Sequence, residues 1–177
     1  MKTVPNTVYR RHLFLTALLV FAADQATKIW AVERLQGRAA IHVIGDFLKF
    51  SFVRNPGAAF SVGTGATWVF AIVAILVCGA IIRISSTVTN KAWAFALGAL
   101  LGGALGNLAD RIFRSPGFLE GHVVDFIRLP HYPTFNVGDS AVVCAAIFMM
   151  YLSFRGIEYK SVEAKSSEIN SSESSQS

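Results

Sequence analysis

Of 177 residues, 53% are hydrophobic and 15% are charged, and the mean hydropathy is +0.49. A soluble domain of this length is not that apolar. The formal charge of +5 suits anionic lipid headgroups, but it is too dispersed to mark a nucleic-acid binder.

Four stretches are long enough, or nearly so, to cross a bilayer core of about 30 Å as helices. They lie at about 12–32, 67–84, 92–110 and 139–155. The first follows Arg10 and Arg11 and would pass alone for a signal peptide. Three further spans follow it, however, and Asp24, Gln25 and Lys28 stand where a cleavage site needs small residues. Between the first two spans, Leu48, Phe50 and Phe52 alternate with Lys49 and Ser51, the period-two pattern of a half-buried strand. Between the last two, Val123 to Ile127 is β-branched and aromatic around Asp125. These segments are either two ordinary loops or a small sheet lying on the membrane surface above the helices. Ser115-Pro116-Gly117 and Pro130 to Pro133 mark turns. The expected architecture is an all-α polytopic membrane protein, with residues 1–160 forming one integral membrane domain. Residues 161–177 hold eight serines and read as a disordered tail. Cys78 and Cys144 fall mid-span and read as small core hydrophobes rather than a disulfide or metal pair.

Four spans put both termini on one side, with eight Lys and Arg residues there and eight opposite. The tie breaks on density, because the basic residues on the terminal side sit in a short tail and a short hairpin. Lys28 and Arg111 are discounted as members of candidate site motifs. Both termini are therefore expected in the cytoplasm.

Four of the five aspartates, Asp24, Asp110, Asp125 and Asp139, lie inside or at the mouths of these spans. A charge there costs roughly 2.5–3.5 kcal/mol on insertion scales, so the default reading of each is function. Asp24 and Lys28 are spaced i,i+4, acid before base, which suits a neutralising ion pair. Asn55-Pro56-Gly57-Ala58-Ala59-Phe60-Ser61 is either a plain turn or a backbone of small residues that a substrate approaches closely. In the third span, Gly98, Gly102, Gly103 and Gly106 suit close helix packing in lipid. Asn107, Asp110 and Arg111 share one face near its end and must meet protein or water there, as a hydrogen-bond network or a site wall. Asp139 stands at the start of the fourth helix, where it suits an N-terminal cap, and Asp125 sits in the apolar strand candidate. If the sheet folds over the bundle, the two carboxyls reach the same depth. They would then share a proton, with one activating water and the other protonating a leaving amine.

Other hydrolytic chemistries lack their parts. There is no H-E-x-x-H, the four histidines are scattered, and no serine sits in G-x-S-x-G. Neither a metal nor another cofactor is expected.

Five ordered blocks over residues 12–155 carry a family resemblance: DQATK at 24–28, NPGAAFS at 55–61, GGALGNLADR at 102–111, VVDF at 123–126 and FNVGD at 135–139. The chain resembles the lipoprotein signal peptidases, the type II signal peptidases of bacteria. The resemblance implies a four-helix inner-membrane aspartyl endopeptidase with a small sheet at the periplasmic face, near the active site. It implies cleavage of prolipoproteins just before a diacylglyceryl-modified cysteine, with those precursors and membrane lipids as partners; a monomer is expected, though the sequence itself does not fix the oligomeric state. Carried over by motif, Asp125 and Asp139 are the catalytic pair. Asp24, Lys28, Asn55, Gly57, Asn107, Asp110, Arg111 and Asn136 fall on positions that bind substrate or brace the site. Two features depart from the family pattern. Gly138 stands where alanine is usual, and the stretch from Arg114 to Gly121 is longer than the common spacing, implying an enlarged surface loop. Two other readings remain: a relative of presenilin-like or prepilin peptidases, which Gly138-Asp139 resembles, and a small transporter using the acids and Lys28 as a proton relay.

Overall fold

A computed structural model describes residues 6–57 and 67–160. Ala58 to Ser61 of the NPGAAFS block and the tail from Ser161 lie outside the described residues. Helix α1 runs Asn6–Leu35, longer at both ends than the apolar stretch that marked it. Thr27 turns its hydroxyl back onto the Ala23 carbonyl (2.8 Å), and the polar DQATK block therefore continues the helix. The helix stops just before Gly37, which adopts φ +72°, a backbone state that suits glycine.

Helix α2 spans Thr67–Ile84 and passes through a 3-10 turn at Ser85–Thr87. Helix α3 spans Lys91–Phe113 and is capped by Asn90, whose side chain accepts from Ala92 N at 2.8 Å. Helix α4 spans Val137–Phe154. All four are long and apolar enough to cross a membrane. Large apolar side chains such as Leu19, Leu76 and Ile147 are exposed on the bundle's outside, as lipid requires.

Helix α3 is the spine. A Cβ on Gly98 would meet the Leu13 carbonyl, and one on Gly102 the Ala17 carbonyl, so α1 lies directly on the glycine face. Gly103 takes the Gly138 carbonyl of α4 in the same way. Without a hydrophobic drive between helices in lipid, such backbone contact is what van der Waals packing has to work with. The small residues thus hold both neighbours at the depth of the polar cluster.

The two loop segments form one three-stranded antiparallel sheet in the order β1-β2-β3, comprising Ile41–Ile44, Leu48–Asn55 and Val123–Arg128. The sheet reading of the loops is therefore correct. Strand β1 had no alternation to betray it, and all four of its residues are exposed. The register places Val53 opposite Asp125 and Lys49 opposite Arg128, with an irregularity between Phe50 and Val53. Trp30, Phe50 and Phe126 meet edge to face with centroids 5.5–6.0 Å apart. Ala31, Leu35, Val124 and Phe126 complete this contact, which clamps the sheet to the last turns of α1.

One short connection sets up the site. Ile127 N donates to Phe135 O at 2.8 Å, and Phe135 N donates back to Ile127 O at 3.0 Å. The chain entering α4 is thereby tied to β3, which brings the start of α4 beside Asp125. The long stretch after α3 folds as a compact loop, with Gly121 N donating to Arg111 O at 3.1 Å and His122 N to Ser115 O at 3.0 Å.

Candidate active site

The polar cluster has two tiers. In the lower tier, Lys28 is fully buried, and its Nζ lies 2.8 Å from Asp24 Oδ2 and 3.1 Å from Asp110 Oδ2. It also donates to Asn107 Oδ1 at 2.8 Å. Asp24 Oδ1 accepts from Gly138 N at 2.7 Å. Asp110 accepts from Arg114 Nε at 2.6 Å and from Val124 N at 3.0 Å. Two anions are thus balanced by Lys28 and Arg114, the condition under which charges survive burial. The same bonds staple α1, α3, α4 and β3 together. Asp24–Lys28 is the ion pair expected from its spacing. Asp110, in contrast, pairs with Lys28 and Arg114 rather than with its neighbour Arg111.

The upper tier holds the other two acids. Asp125 is buried; its Oδ2 accepts from Asn55 Nδ2 at 2.8 Å and its Oδ1 from Asn136 Nδ2 at 2.6 Å. Asn136 is the N-cap of α4 and exchanges hydrogen bonds with Asp139. Asp139 N donates to Asn136 Oδ1 at 2.8 Å, and Asn136 N donates to Asp139 Oδ2 at 3.2 Å. The other oxygen of Asp139 accepts from Asn107 Nδ2 at 2.7 Å. The expected N-terminal role of Asp139 is therefore real, but the cap itself is Asn136. The two acids share Asn136 as their link.

The tiers meet at Asn107, whose Oδ1 accepts from Lys28 and, at 3.2 Å, from Asn136, while its Nδ2 serves Asp139. A lysine has no acceptor, so the Lys28 contact sets which end of the Asn107 amide faces Asp139. Gly57 plays the same part for Asn55: its N–H donates to Asn55 Oδ1 at 2.8 Å, turning the amide nitrogen toward Asp125. Gly57 has φ +102°, and a Cβ there would strike the Phe70 ring.

Arg111 is buried and sits over the Phe70 ring at 5.7 Å, with Nη1 donating to Asn107 O at 3.3 Å. Among the described residues its buried Nε has no hydrogen-bond partner. It lies close enough to Asp139 and Asp125 to feel both charges.

Burial pushes the Asp125 carboxyl up to about 6. The donated bond from Asn55 opposes that rise, the charge of Asp139 adds to it, and Asn136 and Lys28 oppose it. Asp139 is half-buried in the first turn of α4 and accepts N–H bonds from Asn107 and Asn136. An acid raised to about 6 beside a second carboxyl supplies the two proton carriers that acid–base hydrolysis needs.

All ten expected site residues thus belong to one network. The sequence reading did not include Gln25 and Arg114. Gln25 Nε2 donates to Gly106 O at 3.0 Å and reaches Asp24 at 3.2 Å. The Asp110–Arg114 pair has the same readable i,i+4 spacing as Asp24–Lys28. The Val124 N–H contact with Asp110 had no sequence signal.

A family model described as signal peptidase (SPase) II matches residues 16–155. The lipoprotein signal peptidase of Rhodococcus jostii is 48% identical over 155 residues, covering 87% of this chain and 78% of that protein. That of Streptomyces coelicolor is 47% identical over 146 residues, covering 82% and 72%. The chain belongs to the signal peptidase II family. It is accordingly a multi-pass membrane peptidase. A bacterial membrane enzyme solved by the in meso method at 2.3 Å resolution matches with a TM-score of 0.70 at 28% identity, covering 85% of this chain and 92% of that one. A second, at 1.9 Å resolution, matches with a TM-score of 0.69 at 30% identity, covering 78% and 90%. The chain thus shares its fold with bacterial membrane enzymes.

Proposed function

We propose that this peptidase removes the signal peptide from prolipoproteins, cleaving just before a diacylglyceryl-modified cysteine with Asp125 and Asp139 as its catalytic pair. The observation that carries the reading is Asn136, which donates to Asp125 and caps against Asp139 within one residue's reach. Asp139 takes a proton from water as the water oxygen attacks the scissile carbonyl carbon. Asp125 gives its proton to the carbonyl oxygen. As the tetrahedral gem-diol collapses, Asp125 takes a hydroxyl proton back, the C–N bond breaks and Asp139 gives its proton to the leaving amine, which restores both acids with no covalent enzyme intermediate. Arg111 presents an Nε–H with no partner among the described residues and a positive charge beside both acids, suiting it to hold a carbonyl of the substrate backbone. Asn107, Asn55 and Gly57 orient the acids, while Asp24, Lys28 and Asp110 hold the helices that carry them.

The acids lie where the sheet meets the helix ends, the level at which a lipid-anchored cysteine holds its scissile bond. With the termini in the cytoplasm, that level is the periplasmic face. A single chain contains the whole network, which fits a monomer. The test supplies a precursor with and without diacylglyceryl to wild type, Asp125→Asn and Asp139→Asn in detergent. Only wild type should cleave, and only the modified precursor. Cleavage by either variant overturns the pair, equal cleavage of unmodified precursor overturns the substrate, and absent cleavage with proton flux in liposomes would favour a transporter.

A further inference from the structure

Away from the acids, the sheet has a second polar feature. Asp46, Lys49, Arg128, Pro130, His131 and Tyr132 line a cleft of about 540 Å³. The β2–β3 register sets Lys49 directly opposite Arg128, and like charges in that position repel. Asp46 answers one of them: its Oδ1 lies 2.7 Å from Lys49 Nζ and 3.3 Å from His42 Nδ1. The Arg128 side chain is exposed and makes no hydrogen bond, ion pair or ring contact among the described residues. The cleft is therefore short of one anion.

Its surroundings indicate what sort of anion. Ile41, Val43, Ile44 and Phe47, on β1 and its turn, are 45–63% exposed, and Tyr132 on the cleft wall is 58% exposed. An apolar edge of this kind on a soluble surface would be a liability. The sheet is clamped to Ala31 and Leu35, in the last turns of the first span, which is the depth of lipid headgroups. Apolar side chains flanking cations at that depth are the pattern of a surface that dips into the interface. A free aqueous anion would satisfy Arg128 but leave the apolar edge unexplained.

We propose that this cleft holds the phosphate of an anionic phospholipid headgroup, with Arg128 as the main donor and Lys49 as the second. A guanidinium fork matches two phosphate oxygens, and Lys49 reaches the same group when Asp46, 85% exposed, swings aside. Bound lipid would steady the sheet, which carries both Asn55 and Asp125, against the bilayer surface. This site is independent of the cleavage chemistry.

The experiment titrates the detergent-solubilised protein with phosphatidylglycerol, phosphatidylcholine or inorganic phosphate, reading lipid adducts by native mass spectrometry and stability by melting. Wild type should prefer phosphatidylglycerol to phosphatidylcholine. Arg128→Gln and Lys49→Gln should each weaken phosphatidylglycerol binding by about fivefold, the factor expected for one cation at an anionic surface. Asp46→Asn should tighten it. Precursor cleavage in lipid-free detergent should stay at the wild-type level in all three variants. The proposal is overturned if both glutamine variants keep the full preference, or if wild type binds the two lipids equally. Displacement of phosphatidylglycerol by millimolar inorganic phosphate would overturn the headgroup and leave a site for a free anion.

Discussion

The side-chain amide of Asn136 donates to Asp125 at 2.6 Å, making one asparagine both the cap of α4 and the bracket of an acid on another element. Asn136→Ala removes both functions. Loss of the cap should cost about 1 kcal/mol of stability. Loss of the Asp125 bond should lower kcat by tenfold or more, because the acids are no longer held in register. Melting and single-turnover cleavage separate the two effects. A variant that melts lower but cleaves at the wild-type rate would show Asn136 to be only a cap.

The resemblance blocks contained every member of the upper tier, and two of its orienting pairs are local in sequence: Asn136 lies three residues before Asp139, and Gly57 two after Asn55. The spans were equally visible, since hydrocarbon leaves few alternatives for a long apolar stretch. What sequence did not supply was the meeting of Asp125 with Asn136. That depends on the Ile127–Phe135 backbone pair, and backbone pairing carries no side-chain signature. Strand β1 escaped for a related reason: as an exposed edge, it has no buried face to impose alternation. Helix α1 also ran past its apolar stretch at both ends, and α3 ran on through Asp110 and Arg111 to Phe113, because polar residues at a span mouth do not by themselves end a helix.

Asp125 should set the alkaline limit of activity. Its carboxyl is raised to about 6, and the proposed chemistry requires its proton. The profile of kcat/KM, which reports the free enzyme, should therefore fall as pH rises through about 6. Asn55→Ala gives the sign test. Asn55 donates to Asp125 Oδ2 at 2.8 Å and so stabilises the charged form; removing it should raise the pKa further. The falling limb should move to higher pH in that variant, even as the maximal rate drops. A limb that stays in place, or moves to lower pH, would detach Asp125 from the profile.

Two glycines flank the Asp24 carboxylate, and they should respond differently to a methyl group. A Cβ on Gly106 would land on Asp24 Oδ2, the oxygen that Lys28 holds at 2.8 Å. Asp24 is fully buried and its other oxygen is taken by Gly138 N at 2.7 Å, so it can yield only by breaking one of these bonds. Leaving a buried charge without its partner costs roughly 3–5 kcal/mol, and Gly106→Ala should lose stability and cleavage together. A Cβ on Gly138 would sit 3.0 Å from Asp24 Oδ1 and 3.1 Å from both Asn136 Oδ1 and Gly103 O, contacts that shifts of a few tenths of an ångström relieve. Alanine also narrows the unfolded ensemble, worth about 0.4–1 kcal/mol, which offsets much of that crowding. Gly138→Ala should therefore melt near wild type and remain active. Melting and cleavage of the two variants side by side decide the matter. A stable, active Gly106→Ala would mean that the Asp24–Lys28 pair does not hold α1, α3 and α4 in place.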